Sequence, residues 1–251
     1  MQEFLIGIAS YKRPNGCRTV DYLHSLGFPK ERIILSVQTQ TDVEAYTQSG
    51  VRERVGTFLY RKASSAGENR NTILDAVPEG TRLVLMDDDI RAIEILDRSA
   101  KSGLVPITEK ESFNKIMERG FSLASKHKTV CWGVYPVRNQ YFMKPNYASR
   151  NIVTTQVMGI VVGKQRFDES LSTKEDYDFC CRVIRQYGSC IRLNYVTIDA
   201  PKSAGGCEEA WKDKQKAEII ADMLCVMYPD ILRPNPKRRG EVLMACNKKG
   251  A

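Results

Sequence analysis

The chain has 251 residues, of which 42% are hydrophobic and 27% charged, and it carries a net charge of +8 at neutral pH. These proportions exclude a disordered tail and supply enough apolar side chains for a sizeable core. Apolar runs such as residues 152–163 fall short of a membrane span, so no membrane partner is expected.

Met1-Gln2-Glu3 leads straight into an apolar run, without the basic region or small-residue cleavage site of a signal peptide. Residues 4–9 predict a buried strand, 17–26 a helix, 32–37 and 57–60 strands, 66–77 a helix, and 82–86 a strand. Alternation with short connections implies an α/β fold with a mostly parallel central sheet covered by helices on both faces. The second half is more mixed. Residues 109–125 predict a helix, and 130–137, 141–144 and 151–162 predict strands, with Gly133, Gly159 and Gly163 as breaks. Helix 174–187 places Phe179, Val183 and Ile184 on one face; strand 191–198 follows. A long helix over 208–228 carries Ala210, Ala217 and Leu224 at heptad spacing, and 242–246 predicts a late strand. Arg233-Pro234-Asn235-Pro236 excludes regular helix.

In such sheets ligands bind at the carboxyl ends of the strands. Two polar clusters fall there: Ser10-Tyr11-Lys12-Arg13 and Asp87-Asp88-Asp89. Three carboxylates after a buried strand repel one another and resist desolvation, a cost that a divalent cation removes. The competing reading is an acidic turn capping a helix over 91–96. Ser64-Ser65-Ala66-Gly67-Glu68-Asn69-Arg70-Asn71 opens a helix with small residues, as a phosphate-approach site would, and Ser65 and Glu68 have capping-box spacing. Ser172-Thr173-Lys174-Glu175-Asp176-Tyr177-Asp178 offers either a second capping box, Ser172 with Glu175, or a carboxylate able to take a proton from an acceptor hydroxyl. Lys202, Gly205 and Gly206 form a loop suited to phosphate or to a moving lid. Trp132, Trp211, Tyr135 and Tyr141 offer faces for a sugar or base, with core packing the simpler role of each.

The eight cysteines contain no CxxC pair and several sit in apolar stretches, which predicts free buried thiols in a reducing, cytoplasmic setting. Their spacing, with only His24 and His127 as histidines, disfavours a structural zinc site. Six basic residues (Arg233, Lys237, Arg238, Arg239, Lys248 and Lys249) stand against Glu241 in the last 21 residues, so this segment favours an anionic partner or is a solvated tail.

In their order along the chain, Ile8-Ala9-Ser10-Tyr11-Lys12-Arg13-Pro14, Gly67-Glu68-Asn69-Arg70-Asn71, Asp87-Asp88-Asp89 and Glu175-Asp176 resemble the GT-A glycosyltransferases. Within that superfamily the chain looks most like the phage TET-associated enzymes that act on hydroxymethylated pyrimidines in DNA. The resemblance implies a single GT-A domain over 1–251. Its nucleotide-sugar half would be 1–98, its acceptor half 99–230, and its basic segment 231–251. It implies a UDP-sugar donor, Mn²⁺ or Mg²⁺, a DNA acceptor, and, for a phage protein, the cytoplasm of a bacterial host. Ser10, Tyr11, Arg13, Gly67, Arg70, Asp87 and Asp88 would bind the nucleotide-sugar, Asp89 the metal, and Glu175 or Asp176 would act on the acceptor. Many GT-A enzymes add a late histidine to the metal, and none follows His127 here. Asp89 with phosphate and water, Asp199 as a substitute, or weak metal dependence all remain open. A sugar-phosphate nucleotidyltransferase is the enzymatic rival, disfavoured because Tyr11-Lys12-Arg13-Pro14 stands where its glycine- and lysine-rich loop belongs. A catalytically dead nucleic-acid-binding module is the other.

Overall fold

The computed structural model describes residues 3–15, 17–200 and 213–245. Its main sheet starts with four parallel strands: β1 (Leu5–Ser10), β2 (Ile33–Val37), β3 (Thr57–Tyr60) and β4 (Arg82–Asp87). Helices α1 (Arg18–Ser25), α2 (Gln40–Gln48) and α3 (Ala66–Asp75) connect them. After β4 the chain leaves the sheet as β5 (Ala92–Leu96) and β6 (Leu104–Pro106) and crosses back through α4 (Lys110–Lys126). It then supplies β7 (Cys131–Val134), β8 (Tyr147–Ala148), β9 (Val157–Val161), α5 (Glu175–Tyr187) and β10 (Ile191–Leu193). The strand order is β3-β2-β1-β4-β9-β7-β10-β8, with β9 and β8 antiparallel to their neighbours. β11 (Val196–Asp199) joins β5 and β6 in a small second sheet. Helix α6 (Lys214–Met227) leads to the hairpin of β12 (Leu232–Pro234) and β13 (Val242–Met244).

Side-chain alternation builds two apolar layers. Ile6, Ile8, Val84 and Met86 face α1 and α4, while Leu83, Leu85, Met158 and Ile160 face α3, α5 and α6. Gly133 and Gly159 are not breaks, as the sequence suggested, but lie inside β7 and β9. A Cβ at Gly159 would stand 2.0 Å from Trp132 Nε1, and one at Gly133 would stand 2.6 Å from Val153 Cβ. Trp132 is fully buried and packs edge-on to Phe121, so it cannot retreat. Gly159→Ala is therefore expected to cost about 1–3 kcal/mol, read as a lowered denaturation midpoint; an unchanged midpoint would contradict this packing.

Several expectations change in the second half. Residues 141–144 form no strand: Asn139 Oδ1 accepts the Tyr141 N–H at 3.0 Å, turning the chain, and Tyr141 and Phe142 project outward. The run 151–162 contracts to β9, and 191–198 divides at Asn194-Tyr195 between two sheets. Helix α2, not predicted, begins with a capping box between Thr39 and Asp42. The helix predicted over 208–228 is described from Lys214; Ala210, Trp211, Lys202, Gly205 and Gly206 lie outside the described residues. Among the described residues no helix is long and apolar enough to cross a membrane, and the six cysteines are free thiols.

Candidate active site

Parallel pairing of β1 with β4 sets Ala9 opposite Asp87, so Ser10–Arg13 and the acidic triplet emerge side by side. The alternative role of the triplet as a helix cap falls away, because residues 92–96 form a strand. Thr19, on α1, fixes the turn: its N–H donates to the Asp88 carbonyl at 3.1 Å, and its hydroxyl accepts the Ile90 N–H at 3.0 Å.

Asp88 is buried and accepts hydrogen bonds from the Ser10 hydroxyl and from Arg13 Nη1 at 2.7 Å. The same Arg13 nitrogen lies 3.0 Å from Asp89. Asp88 therefore shapes the floor, leaving Asp87 and Asp89 as the more open members, with side chains 33% and 17% exposed. Burial, then the charges of Asp87 and Asp88, push the Asp89 carboxyl up to about 6. Asp88 is raised as well, chiefly by burial.

Arg70 points the other way. Its guanidinium pairs with Asp87 at 3.2 Å and with Glu175, joining α3, the end of β4 and the start of α5. The expected capping box of Ser172 with Glu175 is absent: the N-cap is Lys174, in the left-handed conformation at φ 59°, and it makes no side-chain cap bond. Glu175 is thereby released to Arg70. Asp176 is half-buried, and burial followed by the Glu175 charge raises its carboxyl to about 7. Lys174 is buried in the same neighbourhood, its ammonium acted on by Asp176, Glu241 and Glu175.

Gly67, expected at a phosphate approach, also serves packing. A Cβ there would meet the Asp168 carbonyl at 3.2 Å, so its smallness lets α3 pack on the 167–168 segment. Asn71 turns away, exchanging hydrogen bonds with the Phe167 backbone at 2.8 and 3.0 Å. Ser65 caps α3 as expected, but Glu68 reaches back to Ser64.

Sequence reasoning missed three supports of the first loop. Tyr46 accepts the Arg13 N–H at 3.0 Å, and Asp42 accepts the Lys12 N–H at 3.0 Å. Asn69 donates to the carbonyls of Ser10 and Ser36, tying β1 to β2. The Thr39-x-x-Asp42 capping pattern was the available signal for α2, which carries Asp42 and Tyr46. Tyr11 is half-buried beneath the Lys12 ammonium, 4.8 Å from the ring centroid.

Among the described residues, five carboxylates (Asp87, Asp88, Asp89, Glu175 and Asp176) thus gather around three cationic side chains, Arg13, Arg70 and Lys174. That deficit, together with the raised pKa of Asp89, fits a divalent cation. Among the described residues the triplet does not converge into a three-carboxylate cage. A cation here would use Asp89 and complete its shell from phosphate and water. Asp199 sits opposite Ala92 on the second sheet, with Arg138 3.7 Å from its carboxylate. Trp132 belongs to the core, and Tyr135 lies under Arg192, 4.9 Å from the guanidinium.

No family model matches the chain, and no curated protein matches it. Solved structures do. TarS residues 1–349 from S. aureus, in complex with UDP, superposes with a TM-score of 0.55 at 13% identity, over 89% of this chain and 66% of that one. The mannosyltransferase PcManGT from Pyrobaculum calidifontis, in complex with GDP-Man and Mn²⁺, gives 0.57 at 11% identity, over 90% of this chain and 64% of that one. Glucosyl-3-phosphoglycerate synthase from Mycobacterium tuberculosis, with Mn²⁺, UDP-glucose and phosphoglyceric acid, gives 0.56 at 10% identity, over 94% of this chain and 84% of that one. The chain spans 40% of the longer TarS structure. At these identities the likeness is one of fold, and the fold is GT-A.

Proposed function

We propose that the chain is a glycosyltransferase that moves a hexosyl group from a UDP-sugar to a hydroxyl acceptor with the help of Mn²⁺ or Mg²⁺. The carrying observation is the juxtaposition of Asp87-Asp88-Asp89 with Ser10–Arg13 on one side and Arg70-Glu175 on the other. Ser10, Tyr11 and Arg13 would hold the nucleotide, and Asp87, the most exposed of the three, would meet the ribose. Asp89 would carry the cation, whose contribution is positive charge against the departing diphosphate. Arg70 orients Asp87 and Glu175 rather than meeting the base. With Glu175 committed to Arg70, Asp176 is the group left to take the acceptor's proton. The nucleotides and Mn²⁺ named for the fold neighbours support this reading. Stabilisation by UDP only in the presence of Mn²⁺ is the expected thermal-shift result. No stabilisation by any nucleotide with metal would favour a binding module, and diphosphate release from NTP and a sugar-1-phosphate would favour a nucleotidyltransferase.

For the acceptor we propose a hydroxymethylated pyrimidine in DNA. The support is electrostatic. Arg233, Lys237, Arg238 and Arg239 are all exposed on the β12–β13 hairpin and its turn. Glu241, in the turn of that hairpin, exerts its charge on Lys174, two residues before Asp176, which supports a basic surface near the proposed acceptor side. Removing Lys237, Arg238 and Arg239 together is expected to weaken DNA binding and to reduce the slope of log affinity against log salt by about three. Transfer to hydroxymethylated but not plain DNA, read by mass across a panel of nucleotide-sugars, tests the acceptor itself. Transfer to a glycan, protein or small molecule in its place would replace the DNA reading and leave the donor site standing.

A further inference from the structure

Away from this site, three cysteines distant in sequence meet in the apolar layer between the sheet and α5. Cys131 lies on β7, Cys180 on α5, and Cys190 immediately before β10. All three are fully buried, among Val153, Met158, Phe179 and Val183. Their sulfurs lie within 4.8 Å of one another, with Cys190 and Cys180 3.9 Å apart. With metal–sulfur bonds of about 2.3 Å, sulfurs at the corners of a plane triangle stand about 4 Å apart. The trio is therefore spaced to be bridged by one ion with little movement.

We propose that Cys131, Cys180 and Cys190 form a buried three-sulfur site for a single cuprous ion, clamping the helix that carries Glu175 and Asp176 to the sheet behind it. The donor set selects the ion. Among the described residues this is the one group of three or more histidine, cysteine or acidic side chains close enough to share a metal. Structural zinc requires four ligands, whereas soft sulfur donors suit Cu(I), which accepts three. In the metal-free site the Cys180 thiol donates to the Val153 carbonyl at 3.3 Å, a hydrogen bond that ligation would replace. Burial holds the Cys180 thiol well above its usual range, and hydrogen bonds within the trio, reinforced by burial, do the same for Cys131 and Cys190. A weakly bound ion would not displace those protons. An ion with strong bonds to sulfur can, the ligating thiols releasing their protons to solvent as the bonds form, at the cost of a net negative charge in the apolar layer that the strength of those bonds has to offset. No electron is transferred.

The test loads the reduced full-length chain anaerobically with Cu(I), then challenges it with a competing chelator. About one equivalent is expected to remain, with a raised melting temperature and an X-ray absorption shell of three sulfur atoms. Cys190→Ala should retain none, while Cys225→Ala, altering the half-buried cysteine on α6, should retain the full equivalent. Loss of all copper from the unaltered protein, retention of zinc in preference to copper, retention by Cys190→Ala, or loss in Cys225→Ala would each overturn the site. Should Cys190→Ala fail to fold, the absorption shell of the unaltered protein decides: fewer than three sulfurs, or a nitrogen or oxygen neighbour, refutes it.

Discussion

Asp89→Asn is expected to lower turnover about 10³-fold, the scale of several kcal/mol of charge stabilisation, while making the metal-free protein more stable above pH 6. The two effects have one origin. Burial and the charges of Asp87 and Asp88 raise the folded-state pKa of Asp89 to about 6, against about 3.9 in an unfolded chain. A carboxyl raised in this way favours folding fully only below the unfolded value, and that contribution is lost as pH climbs through the folded one. Wild type should therefore fall behind Asp89→Asn between about pH 4 and 6, and stay behind above it. A divalent cation reverses the balance by binding the ionised form. The Mn²⁺-dependent rise in melting temperature should grow from pH 5 to 7 in wild type and vanish in the variant. Undiminished turnover, or an unaltered metal response, would remove Asp89 from the metal site and with it the proposed chemistry.

How far the site could be read in advance depended on the distance over which its parts communicate. Strands β1 and β4 are buried on both faces, so their near-continuous apolar runs announce them, and the polar residues at their ends announce the site. Helix α2 buries only Asp42 and Tyr46, and so lacks the apolar stripe that marks a helix. Strands β7, β9, β10 and β11 fall on the runs predicted over 130–137, 151–162 and 191–198 but are only three to five residues long, too short for alternation to fix their ends, and the two-residue β8 is not predicted. Residues 141–144 show the converse error, since Tyr141 and Phe142 look like strand residues but find no neighbouring strand. Arg70 and Glu175 stand 105 positions apart. Nothing local to either reveals that an apparent capping glutamate is an arginine's partner, or that the cap falls to Lys174 in a left-handed turn. The sulfur trio was hidden for the same reason: the helix and strands that bring it together place no two of its members at CxxC spacing.

That long-range pairing separates two adjacent carboxylates that sequence alone left equivalent, and the separation leads to opposite expectations for their variants. Asp176→Asn should reduce kcat by about 10²–10⁴-fold, the range for loss of a general base, with UDP and Mn²⁺ binding intact. Transfer requires the ionised form, so kcat/KM in wild type should fall on acidification through an apparent value at or below about 7. A cation at Asp89 would draw that limb downward, though not to the ordinary aspartate value of about 3.9. The acid limb should disappear from whatever activity Asp176→Asn retains. Glu175→Gln acts elsewhere. It withdraws a buried counter-charge from Arg70, leaving that guanidinium to Asp87. Breaking such a pair destabilises the fold, so the melting temperature should drop further than in Asp176→Asn while the pH profile keeps its shape. A variant pair that behaves the other way round would make Glu175 the base. It would also mean that Arg70 moves off Glu175 when donor binds, because the ion pair occupies the carboxylate that would have to reach the acceptor hydroxyl.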